Sequence, residues 1–289
     1  MCRLLGYLSA DRHASARRWF LDGPRSLLAQ SNAQSTSLQA DGWGIAWYEP
    51  DGRLAVERGT GGAYEPTERP RFEAAARRAR GSVVIGHLRR ASNPRRLPRE
   101  QLVGLENSQP FSDGAVAFAH NGSIPYPVET EPLLGRFVSN VRGVNDSEVL
   151  FWLWRRHLDE GSDPVGAYEA TIADLVRVWT AKDGKVGTPY SGLNLVVATG
   201  PGELWAFCRS LGDRHTALID RGRPYYEMAY RADRSTIVVG SEPLDDERAA
   251  WRSLNDGSFL RATVRGDSVE VKTGSLSASA LRTVPVSAA

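Results

Sequence analysis

The chain has 289 residues, of which 41% are hydrophobic and 24% charged, as in an ordinary globular protein. This composition excludes a fibre and a chain that is disordered throughout. The formal net charge of +2 is too small to predict binding to nucleic acid. No apolar run is long enough to span a membrane, and the first residues lack the pattern of a secretion signal. We therefore expect a cytoplasmic protein that binds neither nucleic acid nor a membrane.

Short apolar runs separated by Gly, Pro and Asp predict β-strands along most of the chain. The runs are residues 4–8, 45–48, 54–56, 83–85, 116–119, 193–198, 204–207, 237–239 and 259–264. Several are apolar at nearly every position, which predicts central strands that are covered on both faces.

Three segments instead show the 3.6-residue period of helices. Residues 165–179 carry an apolar stripe behind Asp163 and Pro164, which are typical of a helix N-cap and a first helical turn. Residues 147–158 and 71–80 predict two further helices. Because strands outnumber helices and do not alternate with them one by one, we predict an α+β protein with packed sheets and helices outside.

Motifs of the common cofactor and metal enzymes are absent from the sequence. There is no Walker A loop, no Gly-x-Ser-x-Gly elbow and no His-Glu-x-x-His, and Gly42-Trp43-Gly44 lacks the third glycine of a dinucleotide site. The five histidines show no metal-ligand spacing, and two cysteines cannot build a four-thiolate zinc site. We expect neither a cofactor nor a metal.

One of the two cysteines, Cys2, directly follows the initiator methionine. Among 289 positions, two randomly placed cysteines would put one there with odds of about 2 in 289. The structural alternative is a small buried residue on a first strand, or a disulfide to Cys208, which a reducing cytoplasm disfavours. The functional alternative is a nucleophile at a new amino terminus, since a small second residue favours removal of Met1.

Polar clusters follow two of the apolar runs and precede one of the helices. They are residues 87–92, 120–123 and 144–148. Each has an ordinary structural interpretation: Asn121-Gly122 is a common hairpin turn, and the arginines at 89 and 90 suit a solvated strand end. Asp146 suits the first turn of a helix, with Asn145 as the N-cap and Glu148 as its capping-box partner.

Taken together, the clusters supply the groups that glutamine hydrolysis requires. An amino-acid head group needs a cation for its carboxylate and an anion for its ammonium, and an amide under attack needs neutral donors for the oxyanion. A freed α-amine, with a reference pKa of about 7.7 to 8.0, can act as the base for its own thiol. No histidine partner is then required, which agrees with the missing triad motif.

A set of motifs in fixed order resembles the class II glutamine amidotransferase domains of the N-terminal-nucleophile hydrolases. The motifs are residues 1–7 (MCRLLGY), 40–44 (ADGWG), 86–89 (GHLR), 106–111 (ENSQPF), 120–122 (HNG), 145–148 (NDSE) and 240–243 (GSEP). They are similar to the stand-alone branch with YafJ-like proteins and the ergothioneine-pathway γ-glutamyl amidohydrolase. The resemblance implies a four-layer αββα sandwich of two stacked, mainly antiparallel sheets with helices outside.

The resemblance also implies roles for residues at the matching positions. Cys2 matches the nucleophile, and the Asn121 side chain with the Gly122 N–H matches the oxyanion hole. Arg89 matches the arginine that holds the substrate α-carboxylate, and Asp146, with the Gly122 carbonyl, matches the site of the α-ammonium. Strand alternation lets only one residue of the Arg89-Arg90 pair face the site.

Three further motif residues, Trp43, Asn107 and Pro110, match positions that shape the binding site in the family. The resemblance covers residues 2–265, which we predict to form the amidotransferase domain, and leaves residues 266–289 as a short C-terminal extension.

The remaining chain is too short for a synthase domain, so the use of the ammonia or amine stays open. We predict an N-terminal-Cys amidohydrolase that cleaves the γ-amide of glutamine or a γ-glutamyl compound through a thioester. It would act alone or as a glutaminase beside a separate synthase subunit. The alternatives are a dedicated γ-glutamyl conjugate amidohydrolase and a glutamine-binding sensor without catalysis.

Overall fold

Two antiparallel β-sheets lie face to face in the computed structural model, which describes residues 2–182, 187–211 and 216–282. Met1, His215 and the last seven residues lie outside the described residues. The first sheet has the order β11-β9-β10-β1-β4-β2-β3 and the second β13-β12-β8-β7-β6-β5. The strands are β1 Arg3–Ser9, β2 Trp43–Tyr48, β3 Leu54–Gly59, β4 Val83–Leu88, β5 Phe111–Ser112, β6 Ala117–Gly122, β7 Leu193–Gly200, β8 Glu203–Cys208, β9 Met228–Ala232, β10 Thr236–Gly240, β11 Arg252–Leu254, β12 Ser258–Arg265 and β13 Ser268–Ser275.

Helices cover the outer faces of both sheets. They are α1 Leu27–Gln30, α2 Arg69–Arg78, α3 Arg99–Leu102, α4 Pro127–Thr130, α5 Asp146–Asp159, α6 Pro164–Ala181 and α7 Ala278–Leu281, with a π-helical turn at Arg18–Asp22 and 3₁₀ segments at Ser35–Ser37, Glu131–Asn140 and Arg248–Ala250. The predicted four-layer αββα sandwich is therefore confirmed. No helix among the described residues is long and apolar enough to cross a bilayer.

The core has three layers, because the central strands are buried on both faces. Leu4, Ile85 and Ala119 belong to the layer between the sheets. Leu5 and Val84 face the helices outside the first sheet, and the side chains outside the second sheet pack on α5 and α6. All nine predicted strands and all three predicted helices are present, and Asp163 caps α6 by accepting from Gly166 N at 2.7 Å.

The sequence patterns missed four strands. β5 has two residues and β11 has three, so neither strand is long enough to show the two-residue alternation of apolar and polar side chains. β9 has five residues and ends in a half-buried arginine and an exposed alanine, and β13 is an edge strand with mixed composition. β13 pairs with β12 along its whole length, so the second sheet continues beyond the predicted boundary at residue 265.

Two glycines let the 104–110 loop pass against β2. A Cβ on Gly44 would collide with the backbone carbonyl of Gln109, and a Cβ on Gly42, which has a φ of +135°, would meet Ser108 Oγ. The Gly-Trp-Gly motif is thus a site of close backbone approach. This contact holds the Asn107 loop beside the ends of β1 and β4.

We expect Gly44→Ala to lower the free energy of unfolding by about 2 kcal/mol, because the backbone carbonyl of Gln109 must move to admit a methyl group. Gly200→Ala is the matched control, since a Cβ there meets nothing within 4 Å. Urea denaturation of both variants measures the difference. Equal stabilities would contradict the assigned close approach.

Candidate active site

Cys2 and Asn121 meet between the two sheets. Alternate residues of a strand share a face, so Cys2 follows Leu4 and Asn121 follows Ala119 into the inter-sheet layer. The backbone nitrogen of Cys2 donates to Asn121 Oδ1 at 3.0 Å. Cys2 is 6% exposed and Asn121 is fully buried. Each side chain comes from a different sheet, and stacking of the sheets brings them together.

The amide nitrogen of Asn121 is a donor that the fold leaves unused. Nδ2 is buried and has no hydrogen-bond acceptor within the part of the chain that the structure describes. A buried N–H group without an acceptor is destabilising, and native structures rarely keep one without a reason. A donor in this state beside a thiol can serve an oxygen of a bound ligand.

Asn121 and Gly122 lie inside β6, so the hairpin-turn interpretation of this pair is wrong. A Cβ on Gly122 would overlap the carbonyl of Gly192 on the neighbouring strand. Glycine is therefore required here by the close packing of two backbones, and not by a turn.

The carbonyl of Cys2 is held by two donors that the motif analysis did not assign. Arg3 Nε donates to it at 2.8 Å and the Tyr225 hydroxyl at 3.0 Å. The Arg3 guanidinium lies 3.8 Å from the centre of the Tyr225 ring, a cation–π contact. Burial raises the pKa of Tyr225, which keeps its hydroxyl protonated as a donor.

Glu242, from the Gly-Ser-Glu-Pro motif, holds the Arg3 side chain that donates to the Cys2 carbonyl. Its Oε1 accepts from Arg3 Nη1 at 3.3 Å, and both side chains are fully buried. The same carboxylate accepts from the backbone nitrogens of Leu218, Ile219 and Asp220 at 2.8 to 3.0 Å. The motif therefore joins the residue next to Cys2 to the 218–220 segment.

The two adjacent arginines have different environments. Arg89 is 3% exposed, and its Nη1 donates to the carbonyls of Asp41 and Leu102 at 3.2 and 2.7 Å. Its Nε and Nη2 have no acceptor in residues 2–182, 187–211 and 216–282. Burial lowers the pKa of Arg89, opposed by the nearby Cys2, Asp41 and Asp146. Arg90 is exposed, and its backbone carbonyl lies 3.5 Å from Cys2 Sγ.

Asp146 is the first residue of α5 and is 2% exposed. Its Oδ1 accepts from Ser92 Oγ and its Oδ2 from Ile124 N, both at 2.9 Å. These bonds hold the carboxylate between the segments that follow β4 and β6. The Asp146 carboxylate is close enough to the Arg89 guanidinium to oppose the lowering of its pKa, so a cation and an anion lie near each other here.

Asn107 fixes the start of α5. Its Oδ1 accepts from Val144 N and Asn145 N at 2.7 and 3.1 Å. Asn145 is the N-cap as predicted, since its side chain accepts from Ser147 N at 2.9 Å. The predicted capping box is wrong: Glu148 instead accepts from the backbone nitrogens of residues 142 and 143.

Trp43 lies away from the thiol, in the outer core of the first sheet. Its Nε1 donates to Glu68 Oε2 at 2.7 Å, and its ring packs edge-on against Phe72. Pro110 accepts from Arg58 through its carbonyl at 3.1 Å. Neither of these two residues touches Cys2 or Asn121 in the structure, so any effect on the site passes through the packing of β2 and the 104–110 loop.

The two histidines next to the site are neutral. Burial lowers the pKa of His87 to about 3, with the charge of Arg89 as the second cause. Burial also lowers the pKa of His120, whose ring bridges Ser147 Oγ at 2.8 Å and the Gly192 carbonyl at 3.0 Å. Because a carbonyl only accepts, Nε2 of His120 carries the proton and Nδ1 accepts from Ser147. Both contacts brace the strand that bears Asn121.

A polar cavity of about 360 Å³ adjoins Cys2. It is lined by Gln34, Thr36, Ser37, Arg90, Thr216, Leu218 and Tyr225. Two of these residues also contact Cys2, because Tyr225 donates to its carbonyl and the Arg90 carbonyl lies beside its sulfur.

Both cysteines are free thiols, so the disulfide alternative for Cys2 and Cys208 is wrong. Burial raises the pKa of Cys208 to about 12. Across the described ranges, no group of three or more His, Cys, Asp or Glu side chains is placed to hold a metal ion.

Comparison with known proteins decides the family. The family described as "Glutamine amidotransferases class-II" matches residues 1–284, nearly the whole chain. This chain belongs to the class II glutamine amidotransferase family. The predicted family and enzyme class, a hydrolase or amidotransferase, are confirmed.

Two curated relatives are similar to this class II amidotransferase chain over most of its length. The γ-glutamyl-hercynylcysteine sulfoxide hydrolase of Mycolicibacterium smegmatis is 27% identical over 260 residues, covering 89% of this chain and 93% of the relative. The probable glutamine amidotransferase DUG3 of Saccharomyces cerevisiae is 26% identical over 254 residues, covering 77% of this chain and 69% of the relative.

Solved structures confirm the fold of the amidotransferase domain. A glutamine aminotransferase class-II domain protein from Silicibacter pomeroyi superposes with a TM-score of 0.59 at 21% identity, covering 94% of this chain and 98% of the other. Glutamine phosphoribosylpyrophosphate amidotransferase from Bacillus subtilis gives 0.56 at 17% identity and covers 94% of this chain and 49% of the other.

We expect Glu242→Gln to lower the free energy of unfolding by about 3 kcal/mol, because it leaves the buried guanidinium of Arg3 without a counter-charge. Asp246→Asn is the control: it removes one charge of an ion pair whose acidic side chain is 68% exposed, and exposed pairs contribute little. Urea denaturation compares the two. A Glu242 variant as stable as the Asp246 variant would show that the buried pair does not anchor the fold.

Proposed function

We propose that the protein is an amidohydrolase that cleaves the γ-amide of glutamine or of a γ-glutamyl compound, with Cys2 as the nucleophile. The observation that carries this proposal is the unused, buried Nδ2 donor of Asn121 beside Cys2. An oxyanion hole needs a donor of this kind, held in place before substrate arrives and kept away from water. The Gly122 N–H is the proposed second donor.

The proposed general base is the α-amine of Cys2 after removal of Met1. The Cys2 nitrogen lies 3.0 Å from Asn121 Oδ1, so the same amide would orient the base through its oxygen and the oxyanion through its nitrogen. A free α-amine has a reference pKa of about 8, which suits proton transfer near neutral pH. Burial lowers the pKa of His87 to about 3, which makes it a weak base, and both ring nitrogens of His120 are engaged in hydrogen bonds, so the amine is the proposed base.

Arg89 and Asp146 are the proposed ligands for the glutamyl head group. Among the described residues the guanidinium is held through Nη1, which leaves Nε and Nη2 for a carboxylate. Each Asp146 oxygen accepts one hydrogen bond from the protein and keeps a further lone pair for an ammonium. Asn107 is proposed to act by positioning α5, since its Oδ1 accepts from the helix start and its Nδ2 donates to the Gln101 carbonyl.

The reaction then proceeds in two halves. The amine takes the thiol proton, the sulfur attacks the γ-carbonyl carbon, and the oxyanion forms between Asn121 Nδ2 and Gly122 N–H. The ammonium returns the proton to the leaving nitrogen as the C–N bond breaks, giving a γ-glutamyl thioester. Water, deprotonated by the same amine, attacks the thioester. The C–S bond breaks, glutamate leaves and the sulfur regains its proton.

Hydrolysis by this chain alone is favoured over delivery of ammonia to a separate synthase subunit. The mycobacterial relative is named a hydrolase of a γ-glutamyl conjugate, and this chain spans 93% of its length. A glutaminase subunit and a glutamine-binding sensor remain the competing proposals. We also propose a cytoplasmic location, where a thiol nucleophile and Cys208 stay reduced.

Intact mass before and after treatment with 6-diazo-5-oxo-norleucine tests the nucleophile and the terminus together. We expect a mass without Met1, one covalent adduct on the wild type, and glutamate release from glutamine. Cys2→Ala should form no adduct and release no glutamate, whereas Cys208→Ala should behave as wild type, because burial raises the pKa of the Cys208 thiol. An adduct on Cys2→Ala, or a retained Met1 in an active enzyme, contradicts the proposed nucleophile and base.

Asn121→Ala removes the proposed oxyanion donor. We expect kcat for glutamate release to fall by about 100- to 1000-fold, the usual effect of losing one such donor, with a smaller change in KM. Asn255→Ala is the control, because it makes the same chemical change at an exposed position. Thermal unfolding establishes that both variants are folded. Wild-type turnover in Asn121→Ala would exclude the assigned donor.

A further inference from the structure

Among the described residues, the cavity beside Cys2 is lined mostly by neutral polar side chains and by one positively charged side chain. Hydroxyl and amide groups make up most of its lining, and Arg90 brings the only formal charge among the lining residues that the structure describes. The Arg90 Nη1 donates to Ser37 Oγ at 3.3 Å, and this arginine has no ion pair within the described ranges. No carboxylate lines the cavity in that part of the chain. An anionic group entering the cavity therefore meets an uncompensated cation.

The Arg89 and Arg90 side chains bind to different segments of the chain. The Arg89 side chain reaches the carbonyls of Asp41 and Leu102, while the Arg90 side chain reaches Ser37. Ala91 N donates to Asp41 Oδ2 at 2.8 Å and fixes the backbone just after this pair. The Cys2 sulfur lies 3.5 Å from the backbone carbonyl of Arg90, whose side chain lines the cavity.

A γ-glutamyl amide consists of a glutamyl half and an amine half, and the C–N bond that joins them is the bond that is cleaved. With the glutamyl half on Arg89 and Asp146, as the proposed function requires, the amine half extends to the other side of the sulfur. The Arg90 cavity borders Cys2 through two of its lining residues, Tyr225 and Arg90. Free glutamine carries only an NH₂ group there and leaves the cavity unfilled.

We propose that this cavity binds the amine half of the substrate and that the Arg90 side chain recognises a carboxylate on it, so that γ-glutamyl amino acids or short γ-glutamyl peptides are preferred over glutamine. This inference rests on the proposed function and deepens it. The volume of about 360 Å³ is at the lower end for a small-molecule site and suits an amino acid or a dipeptide. A guanidinium fork matches a carboxylate in planar, two-point geometry.

A pair of substrates that differ only in charge tests the assignment. γ-Glutamylglycine carries a carboxylate on the amine half, and γ-glutamylglycinamide carries a neutral amide of nearly the same shape. We expect wild-type kcat/KM to favour γ-glutamylglycine about five- to tenfold, since a charged hydrogen bond at a partly exposed site is weaker than a buried one. The preference should decrease as ionic strength rises.

Arg90→Met keeps the length of the side chain and removes its charge. We expect the ratio of the two kcat/KM values to approach one in this variant. Arg12→Met is the matched control, because Arg12 is also exposed but lies beyond the far end of β1. The seven extended residues of β1 span roughly 23 Å and separate it from Cys2. Its ratio should equal that of the wild type.

The outcomes separate the two proposals. If wild type releases glutamate from neither glutamine nor the γ-glutamyl compounds, the proposed function is wrong. If wild type hydrolyses both dipeptide analogues at equal kcat/KM, or if Arg90→Met keeps the wild-type ratio, the function stands and the role of Arg90 is overturned. A ratio lost in Arg90→Met and retained in Arg12→Met supports the carboxylate site.

Discussion

The hydrogen bond from the Cys2 nitrogen to Asn121 Oδ1 joins the two sheets at the site, and the candidate chemistry depends on it. One partner precedes the first strand of one sheet, and the other lies near the end of a strand in the second sheet. Cys2 and the Asn121 amide therefore come from different sheets. The candidate site is therefore a product of sheet stacking, and the inter-sheet core of aliphatic side chains sets the spacing between Cys2 and the proposed oxyanion donor.

Period-two alternation explains why the inner side chains converge. Cys2 and Leu4, and likewise Ala119 and Asn121, occupy the same face of their strands, and His87 continues the face of Ile85. A change of register by one residue would turn these groups towards the helices. Glycines complete the arrangement where two backbones come too close for a side chain, at Gly44 and Gly122.

Much of this was predictable from the sequence. The apolar runs identified the nine longer or more apolar strands, and ordered motifs identified Cys2, Asn121, Arg89 and Asp146 as candidates, because short-range patterns carry that information. Long-range partners were not predictable: Tyr225 is 223 positions from Cys2, and no local pattern indicates that its hydroxyl reaches the Cys2 carbonyl. The turn at Asn121-Gly122 was wrong because Gly122 packs against the backbone of the distant Gly192. The capping box at Glu148 was wrong because this side chain binds the backbone of residues 142–143 just before the helix.

Cys2 is restrained on both sides of its α-carbon, by Asn121 at the nitrogen and by Arg3 and Tyr225 at the carbonyl. Cys2, the proposed nucleophile, is thus held by the framework, whereas the neighbouring cavity is bounded by residues outside the strands, such as Gln34, Thr216 and Ser37 of the 3₁₀ segment. Selection can remodel that rim without disturbing the thiol or the strands beneath it. Proteins that descend from one ancestor with this fold could in this way come to accept substrates with different leaving groups, through substitutions at the surface, while the residues around Cys2 stay the same.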